Sequence, residues 1–386
     1  MPLLGATVGR LQYAGSALAI LLMIQGATGS FASAGLVQAC YSVGAAAGLP
    51  ALGRLVDRVG QTRVFAIFAP VCAAGFVALV ALAESGAPVA QLAAVSVLVG
   101  AAEPPLGTSM RTLWADLIEE AKLRESALAL DAVSVELAFI VGPLISAAAI
   151  GLASPAVAVL VNGGLMALGS LLYAASAASR AWRGSSHELG LFGPLRSPGV
   201  LVLMGMGLGF GTCVGAVELG ITALAADEGH RQLAGALIAA QAVGSMAGGF
   251  WYGSRRWAGS PASRLPLLAS AMALTMLPLV ATPSLAATFP LILISGVALA
   301  PTIAAVYTML DIVAPRGTAT EATGWVLTAL IVGVALGTGV GGAAVGASGP
   351  HAGLAVGLAG ALIATAVAWL CRPILARADH EHAVTA

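Results

Sequence analysis

Long apolar runs, broken by short clusters of charged residues or of proline and glycine, fill almost the whole chain. They fall near residues 11–29, 34–55, 63–83, 89–111, 128–150 and 156–178, and again near 197–222, 232–252, 264–281, 287–310, 320–346 and 352–372. Each run approaches the length of about 20 residues that a helix needs to cross a bilayer. The short alternating segments of a lipid-facing barrel are absent. The pattern therefore predicts an all-α polytopic membrane protein with twelve transmembrane helices and short connections. The first run also resembles a signal-peptide core followed by small residues, but further runs follow it directly, so an uncleaved first helix is expected.

The longest polar break, 179–197, carries Arg180, Arg183, His187, Glu188 and Arg196. It divides the runs into two sets of six, so the predicted organisation is a bundle at 1–178, a cytoplasmic linker at 179–197, a bundle at 198–372 and a cytoplasmic tail at 373–386. Segments of the two halves match in order at an offset near 200. Residues 47–54 (AGLPALGR) correspond to 247–254 (AGGFWYGS), 100–105 (GAAEPP) to 296–301 (GVALAP), and Glu125-Ser126-Ala127 to Glu321-Ala322-Thr323. Two pseudo-symmetric six-helix bundles follow, as in duplicated transporters.

Composition narrows the class. Of 386 residues, 59% are hydrophobic and 9% charged, against about 25% charged in ordinary soluble domains, so little chain is left for a soluble domain. The 49 glycines suit membrane helices, where small residues let backbones approach. Charge placement sets the orientation. With a cytoplasmic N-terminus, every Arg and the one Lys, from Arg10 to Arg377, lies at the cytoplasmic face except Arg231. That bias matches the positive-inside rule and would be scrambled by one helix more or fewer.

Between the second and third runs stands Gly53-Arg54-Leu55-Val56-Asp57-Arg58-Val59-Gly60-Gln61-Thr62-Arg63. Its glycines allow a tight turn, and Asp57 can accept hydrogen bonds from arginines. In the fifth run, Gly142-Pro143 removes a backbone hydrogen bond and permits a bend, although a plain packing kink explains it equally well. The loop resembles the signature of the major facilitator superfamily, Gly-x-Leu-x-Asp-Arg-x-Gly followed by basic residues. Gly53, Leu55, Asp57, Arg58, Gly60 and Arg63 match it, and Gln61 departs from it. The resemblance implies alternating access and a cytoplasmic latch formed by Gly53, Asp57, Arg58, Gly60 and Arg63; the plainer alternative is a positive-inside anchor. The second copy, at 253–256, lacks the Asp. Gly142-Pro143 is similar to the helix-5 motif of the family's antiporters, but Leu144, Ile145 and Ser146 stand where that pattern has further glycines.

Four acids lie in apolar surroundings: Glu103, Asp131, Glu136 and Glu218. Charges at such depth are costly, and acids there usually face a cavity, a partner or a proton path. Glu136 is the leading proton carrier, with a structural hydrogen bond as the rival reading. Glu103 precedes Pro104-Pro105 and is a candidate for cavity lining. Glu218 lies in the glycine-rich seventh run and would suit a cationic substrate. Asp131 sits near the cytoplasmic end, where a solvated or Arg124-paired role is expected. Arg111, followed by Asp116, Glu119 and Glu120, is expected either to join a charge network with the Asp57 loop or to form a surface cluster. Trp114, Trp251, Trp257 and Trp369 near run ends fit an interfacial aromatic belt, while Trp325 is deeper.

No phosphate-binding glycine loop occurs, and the five histidines fall in loops or the tail. No enzyme activity, cofactor, metal, disulfide or nucleic-acid partner is therefore expected. The expected function is secondary active transport, with proton-coupled export of a small, partly apolar compound preferred. The alternatives are proton-coupled uptake of a nutrient or metabolite and a non-transporting receptor or scaffold. A monomer in a bacterial cytoplasmic membrane, with both termini cytoplasmic, completes the expectation.

Overall fold

The computed structural model describes residues 2–118, 120–182, 193–255, 257, 260–315 and 318–385. Arg183, His187, Glu188, Glu119, Arg256 and Arg316 of the sequence reading lie outside them. Among the described residues, 12 helices are long and apolar enough to cross a membrane. In chain order they are α1 (Pro2–Thr28), α2 (Phe31–Val59), α3 (Gln61–Glu84), α4 (Val89–Trp114), α5 (Ser126–Leu152) and α6 (Pro155–Ala174). The rest are α7 (Pro198–Asp227), α8 (Leu233–Gly253), α9 (Pro261–Val280), α10 (Leu285–Val313), α11 (Glu321–Ser348) and α12 (Pro350–Leu370). Local signals set many boundaries. Ser30, Ser154 and Ser284 cap the starts of α2, α6 and α10 by accepting a backbone N–H three residues on, which satisfies one of the orphan donors of a helix start. Prolines open α6, α7, α9 and α12, where the missing N–H costs nothing.

The chain packs into two compact units. One comprises Met1–His187 with Gly229–Ala239, the other Glu188–Glu228 with Ala240–Ala386. The first part of α8 thus belongs with the first unit, where Gly235 approaches the Pro143 carbonyl of α5.

The first helix starts nine residues earlier than the hydrophobic run suggests, because Gly5 and Gly9 let it lie against α6. A Cβ on Gly169 would stand 2.0 Å from the Gly9 nitrogen. Arg10, expected at the cytoplasmic face, is consequently enclosed within the first unit at 0% exposure.

The internal repeat reappears as paired close contacts. In the first unit a Cβ on Gly44, Gly48 or Gly100 would fall 2.1–2.3 Å from the carbonyl oxygens of Val97, Ala101 and Tyr41. In the second unit Gly244, Gly248 and Gly296 meet the carbonyls of Leu293, Val297 and Gln241 at 1.9–2.1 Å. The α2–α4 and α8–α10 interfaces are thus built from corresponding glycines at the offset near 200 that the sequence shows. Both partner helices also break just after the seam, α4 at Ala102–Pro105 and α10 at Val297–Ala298.

In the second unit, Val200, Leu203, Met206, Leu265, Met309 and Leu310 form a buried cluster. The expected tail is a helix, Arg372–Thr385, whose Leu375 is fully buried against that cluster.

Candidate functional site

The signature loop is a sharp corner. The second helix ends at Val59, Gly60 turns with φ +91°, and α3 begins at Gln61. Only glycine takes this φ without strain. Asp57, Arg58 and Arg63 are exposed and, with Ser179, Arg180 and Trp182, border a cleft of about 500 Å³. Among the described residues Asp57 makes no hydrogen bond or ion pair. Gly53, half-buried, has open space where a Cβ would sit.

Gln61, the departure from the family pattern, has a physical reason. It is fully buried, accepts from the Tyr173 hydroxyl at 2.8 Å and donates to the Ser109 carbonyl at 3.3 Å. One amide thereby ties α3 to α6 and α4, and a cation at this position would lose the Tyr173 donor.

The expectation for Asp131 is corrected. It is neither solvated nor paired with Arg124: its side chain is 2% exposed and its Oδ1 accepts from Arg10 Nη1 at 2.7 Å. The same Nη1 donates to Ser134 Oγ at 2.9 Å. The cause is the early start of α1, which carries Arg10 inward to face α5. Arg111 turns to the same carboxylate, its Nε 4.0 Å from Oδ2, and makes no contact with Asp57 among the described residues.

Glu103 lies at the break in α4 opened by Pro104 and Pro105. Its Oε1 accepts from Gln12 Nε2 of α1 at 2.5 Å and its Oε2 from the Tyr41 hydroxyl of α2 at 2.6 Å. Among the described residues no cation contacts it. Tyr13 is half-buried and lies close enough to sense the charges of Arg10, Glu103 and Asp131 alike. Arg10, Gln12, Tyr13, Tyr41, Glu103, Asp131 and Ser134 thus form one polar cluster inside the first unit. Sequence reasoning missed Arg10, Gln12, Tyr13, Tyr41 and Ser134 as members of a site. The available signal was the dense group Arg10-Gln12-Tyr13 at the mouth of the first apolar run.

Glu136 is half-buried and has no hydrogen-bond or ion-pair partner among the described residues. Near it, α5 runs unbroken through Pro143, and Gly142 sits at the closest approach of α1, where a Cβ would lie 2.0 Å from the Leu11 carbonyl oxygen. Ser146, in place of a family glycine, accepts from Asn162 Nδ2 at 2.8 Å and links α5 to α6.

Among the described residues, the second unit holds fewer polar side-chain contacts between its helices. Glu218 is half-buried, and its Oε1 has no partner among the described residues. Met206, Phe210, Thr302, Val306, Tyr307 and Leu330 surround a cavity of about 20 Å³, room for about one water. Asp311 is exposed, whereas both carboxylate oxygens of Glu321 are buried without a partner among the described residues.

Twelve membrane-length helices among the described residues, in two compact units with ionisable side chains held among the helices of the first, define a polytopic membrane protein. The family model described as Major Facilitator Superfamily matches residues 3–330, and the chain belongs to that family. Among solved structures it is similar to a mutant form of the nucleoside transporter NupG at 15% identity and TM-score 0.72, covering 97% of this chain and 99% of that one. It is similar to a bacterial homologue of the iron transporter ferroportin in an inward-facing state, at 15% identity and TM-score 0.73 with 96% and 97% coverage. It also resembles the human organic anion transporter MFSD10 at 16% identity and TM-score 0.63, covering 95% and 97%. No functionally curated protein matches the sequence significantly. At these identities the structural likeness concerns the fold.

Proposed function

We propose that this transporter works by alternating access and couples the export of a small, partly apolar compound to proton entry, as a multi-pass protein of a bacterial cytoplasmic membrane with both termini cytoplasmic. The observation that carries proton coupling is the polar cluster of the first unit, in which the half-buried Glu103 carboxyl is held between helices by neutral partners alone. A carboxyl so placed is expensive to keep charged in an apolar medium and is a natural site for a proton to load and leave. The Gly142-Pro143 similarity to the family's antiporters favours export over uptake, and the exposed Asp57–Arg63 corner suits a latch that forms in one state and opens in the other.

The test is transport by the purified chain in proteoliposomes under an imposed pH gradient, with a panel of candidate compounds. Export by exchange requires compounds to accumulate inside when the proton gradient points outward. Accumulation driven by an inward proton gradient would establish a symporter and refute export.

A further inference from the structure

The sequence offers four acids as proton carriers, and the hydrogen-bond chemistry of the first unit separates them. We propose that Glu103 is the carboxyl that exchanges the proton, and that Gln12 and Tyr41 form a reversible pair hydrogen-bonded to it in both of its states. This rests on the proton-coupled reading above and names the residue that performs it.

The argument turns on which partners can change roles. Glu103 accepts from the Gln12 amide and the Tyr41 hydroxyl. Both groups are donors and acceptors at once: a phenol rotates its hydrogen, and an amide offers its oxygen as readily as its nitrogen. Gln12 Oε1 is moreover buried and has no partner among the described residues, so an acceptor stands ready for a carboxyl hydrogen. When Glu103 releases its proton to water on the side then open, the carboxylate takes two donated bonds. On re-protonation the new O–H donates to Gln12 Oε1 or to the Tyr41 oxygen. The carboxylate state leaves Gln12 Oε1 as the acceptor without a partner among the described residues, and protonation can satisfy it, whereas orphaning a buried polar group costs about 1–3 kcal/mol.

Asp131 has no such freedom. Its partner Arg10 carries donors only and keeps its charge, and Arg10 Nε and Nη2 already lack partners among the described residues. Asp131 supplies the carboxylate that a fully buried guanidinium requires, so the pair is a structural tie with no alternative donor pattern. Glu136 lacks any partner among the described residues that would hold either state, and Glu218 Oε1 likewise. The titratable groups that the Glu103 charge reaches are Tyr13 of α1, Tyr41 of α2 and Cys72 of α3, while Arg10 of α1 and Asp131 of α5 act on Tyr13 beside it. Arg10 and Asp131 are paired with each other, and Glu103 keeps neutral hydrogen-bond partners.

Infrared spectroscopy of the full chain in lipid vesicles tests this without a transported compound. Across a pH titration the wild type should show a protonated-carboxyl band that disappears as the group ionises, and Glu103→Gln should lack it. Tyr41→Phe, which removes one of the two reversible bonds, should move the midpoint by about one pH unit. A band that survives Glu103→Gln with an unchanged midpoint overturns the proposal. If Glu103→Gln does not fold, Tyr41→Phe decides alone, and an unmoved midpoint overturns it. Failure of every compound to move under a pH gradient would remove proton coupling but leave the Glu103 titration standing. A silent Glu103 beside gradient-driven transport would do the reverse.

Discussion

Asp131→Asn probes the energetic centre of the first unit. Arg10 is fully buried, and its contact with Asp131 at 2.7 Å is the counter-charge that its position allows. Exchanging the carboxylate for an amide keeps the shape but leaves a whole positive charge uncompensated, and breaking one side of a buried ion pair costs about 3–5 kcal/mol. Arg10→Met is the milder change. Arg111 stands 4.0 Å from the same carboxylate with a side chain 56% exposed, and attraction at that distance is about 4 kcal/mol before desolvation is subtracted. The double variant Arg10→Met/Asp131→Leu removes both charges, and replacing a buried pair by apolar groups is often neutral or stabilising. Thermal unfolding in detergent, followed by circular dichroism, reads all three. A unit of this size shifts by about 2–4 °C per kcal/mol, so Asp131→Asn should lower the midpoint by roughly 6–20 °C, Arg10→Met by less, with the double variant near the wild type. Equal losses for both single variants, with the double variant at their sum, would refute the coupling.

Two further substitutions test the packing. Gln61→Lys restores the basic character the family pattern usually has there, yet it should destabilise the first unit by about 2 kcal/mol or more, because it removes the acceptor for Tyr173 and buries an ammonium at a fully enclosed position; an unfolding midpoint equal to the wild type would show that the Gln61 ties are incidental. Gly142→Ala should cost about 1–3 kcal/mol through overpacking against the Leu11 carbonyl, whereas Gly53→Ala, with open space around its Cβ, should stay within about 0.5 kcal/mol. Matching losses in the two glycine variants would indicate that the α1–α5 approach is looser than described.

The helices, their number and the duplication were legible because the bilayer imposes length and apolarity run by run. The first helix was misjudged for a specific reason: Gly5 and Gly9 carry little hydrophobic signal, yet their small size is what lets α1 continue against Gly169 of α6. That error hid Arg10, which looks from the sequence like one more arginine obeying the positive-inside rule. Asp131 was misplaced with it, since its partner lies 121 residues away. Single acids in apolar runs were visible as anomalies. What each accepts from depends on which helices cross there, and no local pattern encodes that crossing. The glycine at 142 was legible as a motif, but not its close approach to α1, where a Cβ would meet the Leu11 carbonyl; α5 continues through the proline beside it.

The comparison of the two units gives the polar cluster its meaning. Gly44, Gly48 and Gly100 recur as Gly244, Gly248 and Gly296, each set closing the same pair of helices onto the same backbone carbonyls. The residue whose carbonyl meets the third glycine is Tyr41 in the first unit and Gln241 in the second, and three residues beyond that glycine stand Glu103 and Leu299. The scaffold of the seam has thus been kept in both copies while its side chains have diverged. If the carboxyl at the break of α4 served packing, the buried Leu299 at the same place in α10 shows that an apolar side chain fills that role without the cost of enclosing an acid. Glu103 with its two amphoteric partners is therefore an addition to a fold that closes without it, and this asymmetry between the two copies is what the coupling proposal rests on.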